Sequence, residues 1–182
     1  MAKSSRGGKI GASSSGAGGG GNSAPALDRN LIRRANEAGF ATDIGDVTVR
    51  QYNRNVDEIN ATVLSDSDKA EAIARLHQLT NAQLEAESSV INPLATGRGV
   101  ARFDRQAVRT TGDKALDARR EVREFMESVH AKERDTIAKR AQQAMTTAMS
   151  NALANGSLEF TVNGATYRRK SKRSRSFERV YG

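Results

Sequence analysis

Residues 49–84, VRQYNRNVDEINATVLSDSDKAEAIARLHQLTNAQL, decide the fold. Val49, Tyr52, Val56, Ile59 and Val63 recur at 3-4-3-4 spacing, an apolar seam at the heptad period of a coiled coil. A second seam follows in Ile73, Leu76, Thr80 and Leu84, widened by Leu79. Between the two, Ser65 and Asp68 make a capping-box-like pair with Asp in the place of Glu, able to satisfy the orphan N–H groups of a helix start. The connection is only a few residues long, so the two helices form an antiparallel hairpin.

Upstream, Asp28 caps a short helix through Glu37, with Leu27, Leu31, Ile32 and Ala35 on one face and Gly39 as its stop. The helix carrying the first seam starts behind Asp46. Downstream, NPLATGRG at 92–99 breaks the pattern through Pro93 and two glycines. A short helix over 101–110 precedes the longest periodic stretch, which Asp113 caps and which runs to about Ala154, with Gly156 beyond its end. Leu116, Val122, Phe125, Met126, Val129, Ile137, Met145, Met149 and Leu153 mark its broad stripe. At 1.5 Å per residue this helix is roughly 60 Å long. A small globule needs less, so either it breaks near Lys132–Asp135 or part of it packs on a partner.

The last element changes period. Leu158, Phe160 and Val162 alternate with polar residues, Asn163-Gly164 supplies a hairpin turn, and Ala165 and Tyr167 alternate again. A two-residue turn pairs Val162 with Ala165, Phe160 with Tyr167 and Glu159 with Arg168. A lone two-stranded hairpin is unstable in water. Either Phe160 and Tyr167 pack on the helices, or SFERVY at 176–181 returns as a third strand.

Composition limits the core. Leu, Ile, Val and Phe total 33 of 182 residues, while alanine supplies 27. Thin, Ala-rich interiors suit long helices packed on each other. With no cysteine, disulfides, Cys-ligated zinc and thiol catalysis are excluded. No apolar run approaches membrane-spanning length, and no signal-like apolar region follows the first charges. Residues 1–24 hold eight Gly and six Ser and cannot bury enough apolar surface to order, so a flexible arm is expected.

The net charge of +8 is unevenly placed. Residues 1–30 carry +3, residues 163–182 carry +6, and the 132 between them carry −1. Arg168, Arg169, Lys170, Lys172, Arg173 and Arg175 fall within eight residues, interleaved with serines that can donate to phosphate oxygens. Tyr167, Phe177 and Tyr181 flank the run and offer faces for unpaired bases. These features point to nucleic acid, DNA ahead of RNA, held by its phosphates without base reading, with an acidic protein surface or a tail that only aids solubility as the alternatives.

Other chemistry is weakly represented. Glu127-x-x-His130 has the helical spacing of half a di-iron carboxylate site, but the second pair is missing because Ala74 precedes His77. RGGKIG at 6–11 lacks phosphate-loop spacing, and TGRG at 96–99 has no preceding strand. Arg120–Glu124, Arg123–Glu127 and Asp135–Lys139 read as ordinary ion pairs on an exposed helix face. No catalytic set, metal site or cofactor is expected, and the protein is expected not to be an enzyme.

The opening SSRGG and Gly/Ser arm, the central LSDSDKAEAIARLHQLTNAQLEAES and the closing LEFTVNGATYRRKSKRSRSFE together resemble small basic proteins of bacteriophages and prophages. The resemblance implies DNA handling or particle assembly in a bacterial cytoplasm or a virion, with other phage structural proteins or further copies of the chain as partners. It carries over no functional residue. The expected fold is mainly α: antiparallel helices including one long helix, a small C-terminal β-hairpin and a disordered N-terminal arm. The expected division is an arm at 1–24, a helical domain at 25–156, and a hairpin with basic tail at 157–182. A helical scaffold with protein partners and a host-directed inhibitor are the alternatives.

Overall fold

The computed structural model of the chain describes residues 23–38, 43–90 and 105–181. Most of the Gly/Ser arm, the Gly39 stop and the Pro93 break lie outside the described residues. Four helices, α1 (Arg29–Ala38), α2 (Ile44–Ala61), α3 (Asp66–Ser88) and α4 (Arg105–Ala154), precede three short strands, β1 (Glu159–Val162), β2 (Ala165–Arg168) and β3 (Glu178–Val180).

α3 is the central helix, with α1, α2 and α4 all packed against it. The hairpin of α2 and α3 forms as its pattern dictates. Ser65 is the N-cap of α3, its Oγ accepting from the Asp68 N–H at 3.2 Å and donating to the Asp68 carboxylate at 2.6 Å. Asp28 likewise accepts the Asn30 N–H at 2.8 Å to start α1. Tyr52, Val56 and Ile59 of α2 meet Ile73, Leu76 and Leu84 of α3 in one buried cluster with Val122, Met126 and Val129 of α4. Ile59, Leu76 and Leu84 are fully buried, each contributing about 1.5–3 kcal/mol of hydrophobic stabilisation. Burial also raises the Tyr52 hydroxyl above its ordinary value of 10.0, while that hydroxyl donates to the Pro25 carbonyl at 3.0 Å.

Several local expectations are corrected. α2 begins at Ile44 rather than behind Asp46, because its cap comes from another helix. Asn36 of α1 accepts the Gly45 N–H at 2.7 Å and the Asp46 N–H at 3.3 Å, whereas Asp43 makes no side-chain cap. Gly45 is required there, since a Cβ would lie 2.5 Å from the Ile32 carbonyl oxygen. Val63 is exposed, because α2 ends at Ala61 and the turning chain buries Leu64 in its place.

α4 neither starts at Asp113 nor breaks near Lys132. It runs unbroken for 50 residues, about 75 Å, and takes in residues 105–110 of the separate short helix anticipated before it, whose first four residues lie outside the described residues. Asp113 is an exposed position in its interior. Ala115, Val122, Met126 and Val129 are its buried seam against the head, so Leu116, one residue out of phase, is exposed. Lys132 Nζ meets Asp68 at 2.7 Å at the start of α3, and Glu133 accepts the Val63 N–H at 3.0 Å. Beyond these contacts the helix continues for a further 21 residues, about 30 Å, with Ile137 half exposed. A Schellman motif closes it: the Gly156 N–H donates to Leu153 and the Ser157 N–H to Ala152.

The hairpin acquires a third strand. β1 pairs with β2 in the anticipated register, Glu159 with Arg168 through Val162 with Ala165, and SFERVY returns so that β3 pairs antiparallel with β2. Asn163 and Gly164 both have positive φ, 50° and 74°, the type I′ geometry that matches the twist of the strands. β1 packs along α4. Phe160 stacks on Tyr167 at 5.2 Å and meets Phe177 edge-on at 4.9 Å, a three-ring cluster that holds the small sheet together.

Candidate nucleic-acid interface

The fold redraws the charge division around α4. Residues 25–133, the helical head, hold sixteen basic and eighteen acidic side chains, a net −2. Residues 134–182, the distal half of α4 and the sheet, hold ten basic and three acidic, a net +7. Charge and architecture therefore split at the same point.

The six basic candidates do not share one environment. Arg168 is clamped across the strands by Glu159, its Nη2 at 2.8 Å and Nε at 3.1 Å from one carboxylate oxygen. Lys170 lies 3.7 Å from Glu178, an exposed and weak pair. Arg169 is only 5% exposed. Its N–H extends the β1–β2 ladder to the Leu158 carbonyl at 2.8 Å, its Nη1 donates to the Ser174 carbonyl at 3.2 Å, and its guanidinium lies 5.5 Å from the Phe177 ring centre. Its buried Nε has no acceptor among the described residues. Arg169 thus pins the β2–β3 loop from inside. Lys172, Arg173 and Arg175 project from that loop, exposed and without an acidic partner among the described residues. Ser174 and Ser176 bond to each other beneath them.

The aromatic candidates are also redistributed. Tyr167 and Phe177, expected as stacking faces, are partly spent on Phe160. Tyr181 is 82% exposed, with the Arg179 guanidinium 5.2 Å from its ring centre. Arg179 sits opposite Tyr167 in the β2–β3 register and faces α4 across a crevice of 430 Å³ whose helical side includes Gln142 and Met145. Lys139 borders a shallow depression that shares Gln142 and Thr146 with that crevice. Arg179 and Lys139 were missing from the sequence-based site. The strand parity of SFERVY was the signal for the first; nothing local signalled the second.

The head holds its own polar cluster, also missed in the sequence. Glu87, 1% exposed, accepts from Arg119 at 2.8 Å, from the Thr48 hydroxyl at 2.9 Å and from Gln83 at 2.8 Å. These partners satisfy the buried carboxylate, so it belongs to the fold. The cluster lies at a groove of 680 Å³ between α2 and α4. His130 approaches Glu58 at 3.7 Å and Glu133 at 3.9 Å. Arg120–Glu124 forms at 3.7 Å, whereas Arg123–Glu127 and Asp135–Lys139 do not close, as befits exposed pairs whose attraction barely offsets side-chain entropy. Among the described residues no group of three His, Cys, Asp or Glu is placed to hold a metal ion, and no helix is long and apolar enough to cross a membrane. No known protein family, curated protein or solved structure matches the chain.

Proposed function

We propose that the distal half of α4 and the three-stranded sheet form a nucleic-acid-binding module that grips phosphates by charge, without catalysis and without reading sequence. The observation that carries this reading is the segregation of +7 into residues 134–182, with Lys172, Arg173 and Arg175 on one loop without an acidic partner among the described residues. Arg169 supports it. Its buried guanidinium has no carboxylate partner among the described residues, so a phosphate against the loop would supply the missing counter-charge. Arg168 contributes less than its place in the basic run suggests, because two of its guanidinium nitrogens are engaged by Glu159. DNA handling or particle assembly in a phage-infected bacterium is the setting proposed for this activity.

The test is a salt titration of binding to short DNA with the intact chain and with Lys172, Arg173 and Arg175 changed to Gln. Three lost phosphate contacts lower the slope of log affinity against log salt by about 2–3. An unchanged slope overturns the assignment. A second reading, assembly with a protein partner through the helix between head and sheet, draws on the half-exposed Ile137 there. Sedimentation without DNA tests it: an oligomer that Ile137→Lys dissociates favours this reading, and a monomer rejects it.

A further inference from the structure

Backbone charge alone does not account for the crevice between the sheet and α4. One wall is the apolar sheet face, Val162 and Tyr167, and the other is the helix at Met145, bordering an open crevice of about 430 Å³, within the roughly 300–1,000 Å³ typical of small-ligand clefts. Its polar side chains are Gln142 and Asn163, which make no side-chain hydrogen bond among the described residues, Thr146, whose hydroxyl donates to the Gln142 carbonyl at 3.0 Å, and Arg179. Outside it stands the open ring of Tyr181, carrying the same Arg179. An apolar slot with an aromatic wall, neutral donor–acceptor amides and a cation beside it is complementary to a flat heterocycle attached to a phosphate.

We infer that this crevice receives one unpaired base of a single-stranded nucleic acid, making the module selective for single strands over duplex. The inference rests on the phosphate-binding reading above. A paired base is sealed in its stack and cannot enter, whereas a splayed base can lie between Tyr167 and Met145 with its phosphate at Arg179. Carboxamides present both a donor and an acceptor and rotate to suit any base, so single-strand preference comes without sequence preference. Tyr181 offers a second stacking surface to the neighbouring base.

The experiment compares three probes of matched length, about 16 nucleotides: oligothymidylate, an abasic strand of the same charge, and a duplex. Oligothymidylate binds about tenfold tighter than the abasic strand, and better than the duplex at equal salt. Ala141 is an exposed residue of α4 that lines the crevice; Ala141→Phe fills it and removes the advantage while leaving abasic binding intact. Tyr181→Ala, at an exposed position, removes part of it. Equal affinity for oligothymidylate and abasic strand, with both weakened by the Lys172, Arg173 and Arg175 substitutions, overturns the crevice inference and leaves the phosphate reading standing. No binding of any probe overturns both. Amide spectra of each variant establish that the sheet is folded, so loss of structure is not mistaken for loss of a site.

Discussion

The head and the distal module are built on one helix yet stabilised by different means. The head has a multi-helix apolar cluster and a buried carboxylate whose partners come from α2, α3 and α4. The distal module has a cluster of three rings, one tight turn and a single helix to lean on. The head carries nearly equal numbers of basic and acidic groups, whereas the module carries a surplus of exposed cations. Surplus charge sits where little core exists to be disturbed by self-repulsion.

Removing the Glu87 carboxylate gives the sharpest contrast. Glu87→Ala strands Arg119, Thr48 and Gln83 and costs the head about 3–5 kcal/mol. Chemical denaturation reads this as a lower midpoint, while oligonucleotide affinity of the folded fraction stays constant. Loss of both together breaks the comparison. Next in size, Phe160→Ala removes the ring that both Tyr167 and Phe177 touch, a loss of about 3 kcal/mol. Hydrogen exchange then shows amides of β1–β3 unprotected while those of α3 remain slow. A smaller effect follows from Gly164→Ala, which places a Cβ at φ 74° and costs about 1 kcal/mol or slightly more. Strand protection falls and the head melting temperature does not.

The smallest effect is expected at the junction. The Lys132 ammonium, then the Ser65 hydroxyl, hold the Asp68 carboxyl below its ordinary value of 3.8, and the bond to Asp68 raises Lys132 above 10.5. A depressed carboxyl stabilises above its unfolded value and ceases to do so as pH falls through the folded one. A raised ammonium stabilises below its unfolded value and ceases to do so as pH climbs through the folded one. The contact therefore holds through neutral pH and fails in acid below 3.8 and in alkali above 10.5. Asp68→Asn flattens both flanks of the melting-temperature profile by lowering its neutral plateau by the same small amount.

What was legible in the sequence was local. The Ser65 cap, the Ile73–Leu84 seam and the Asn163-Gly164 register are encoded within a few residues of where they act, and they form as read. What was hidden depends on partners distant in the chain. Asn36 caps α2 from α1, Glu87 is buried because Arg119 and Thr48 reach it, and Arg169 is buried because Phe177 returns over it. Leu116 misleads for the complementary reason: a large apolar residue is not buried when the helix phase favours its small neighbour Ala115. In the basic run, composition counts charges but cannot tell which ones a strand neighbour such as Glu159 has already taken.

The unbroken α4 has a mechanical consequence. As one continuous helix of 50 residues, it acts as a stiff strut that holds the head at a set distance and bearing from the sheet at the far end. Inserting four residues after Ala138 would lengthen that strut by about 6 Å and rotate one end by roughly 40°, which makes spacing itself a property of the molecule open to measurement.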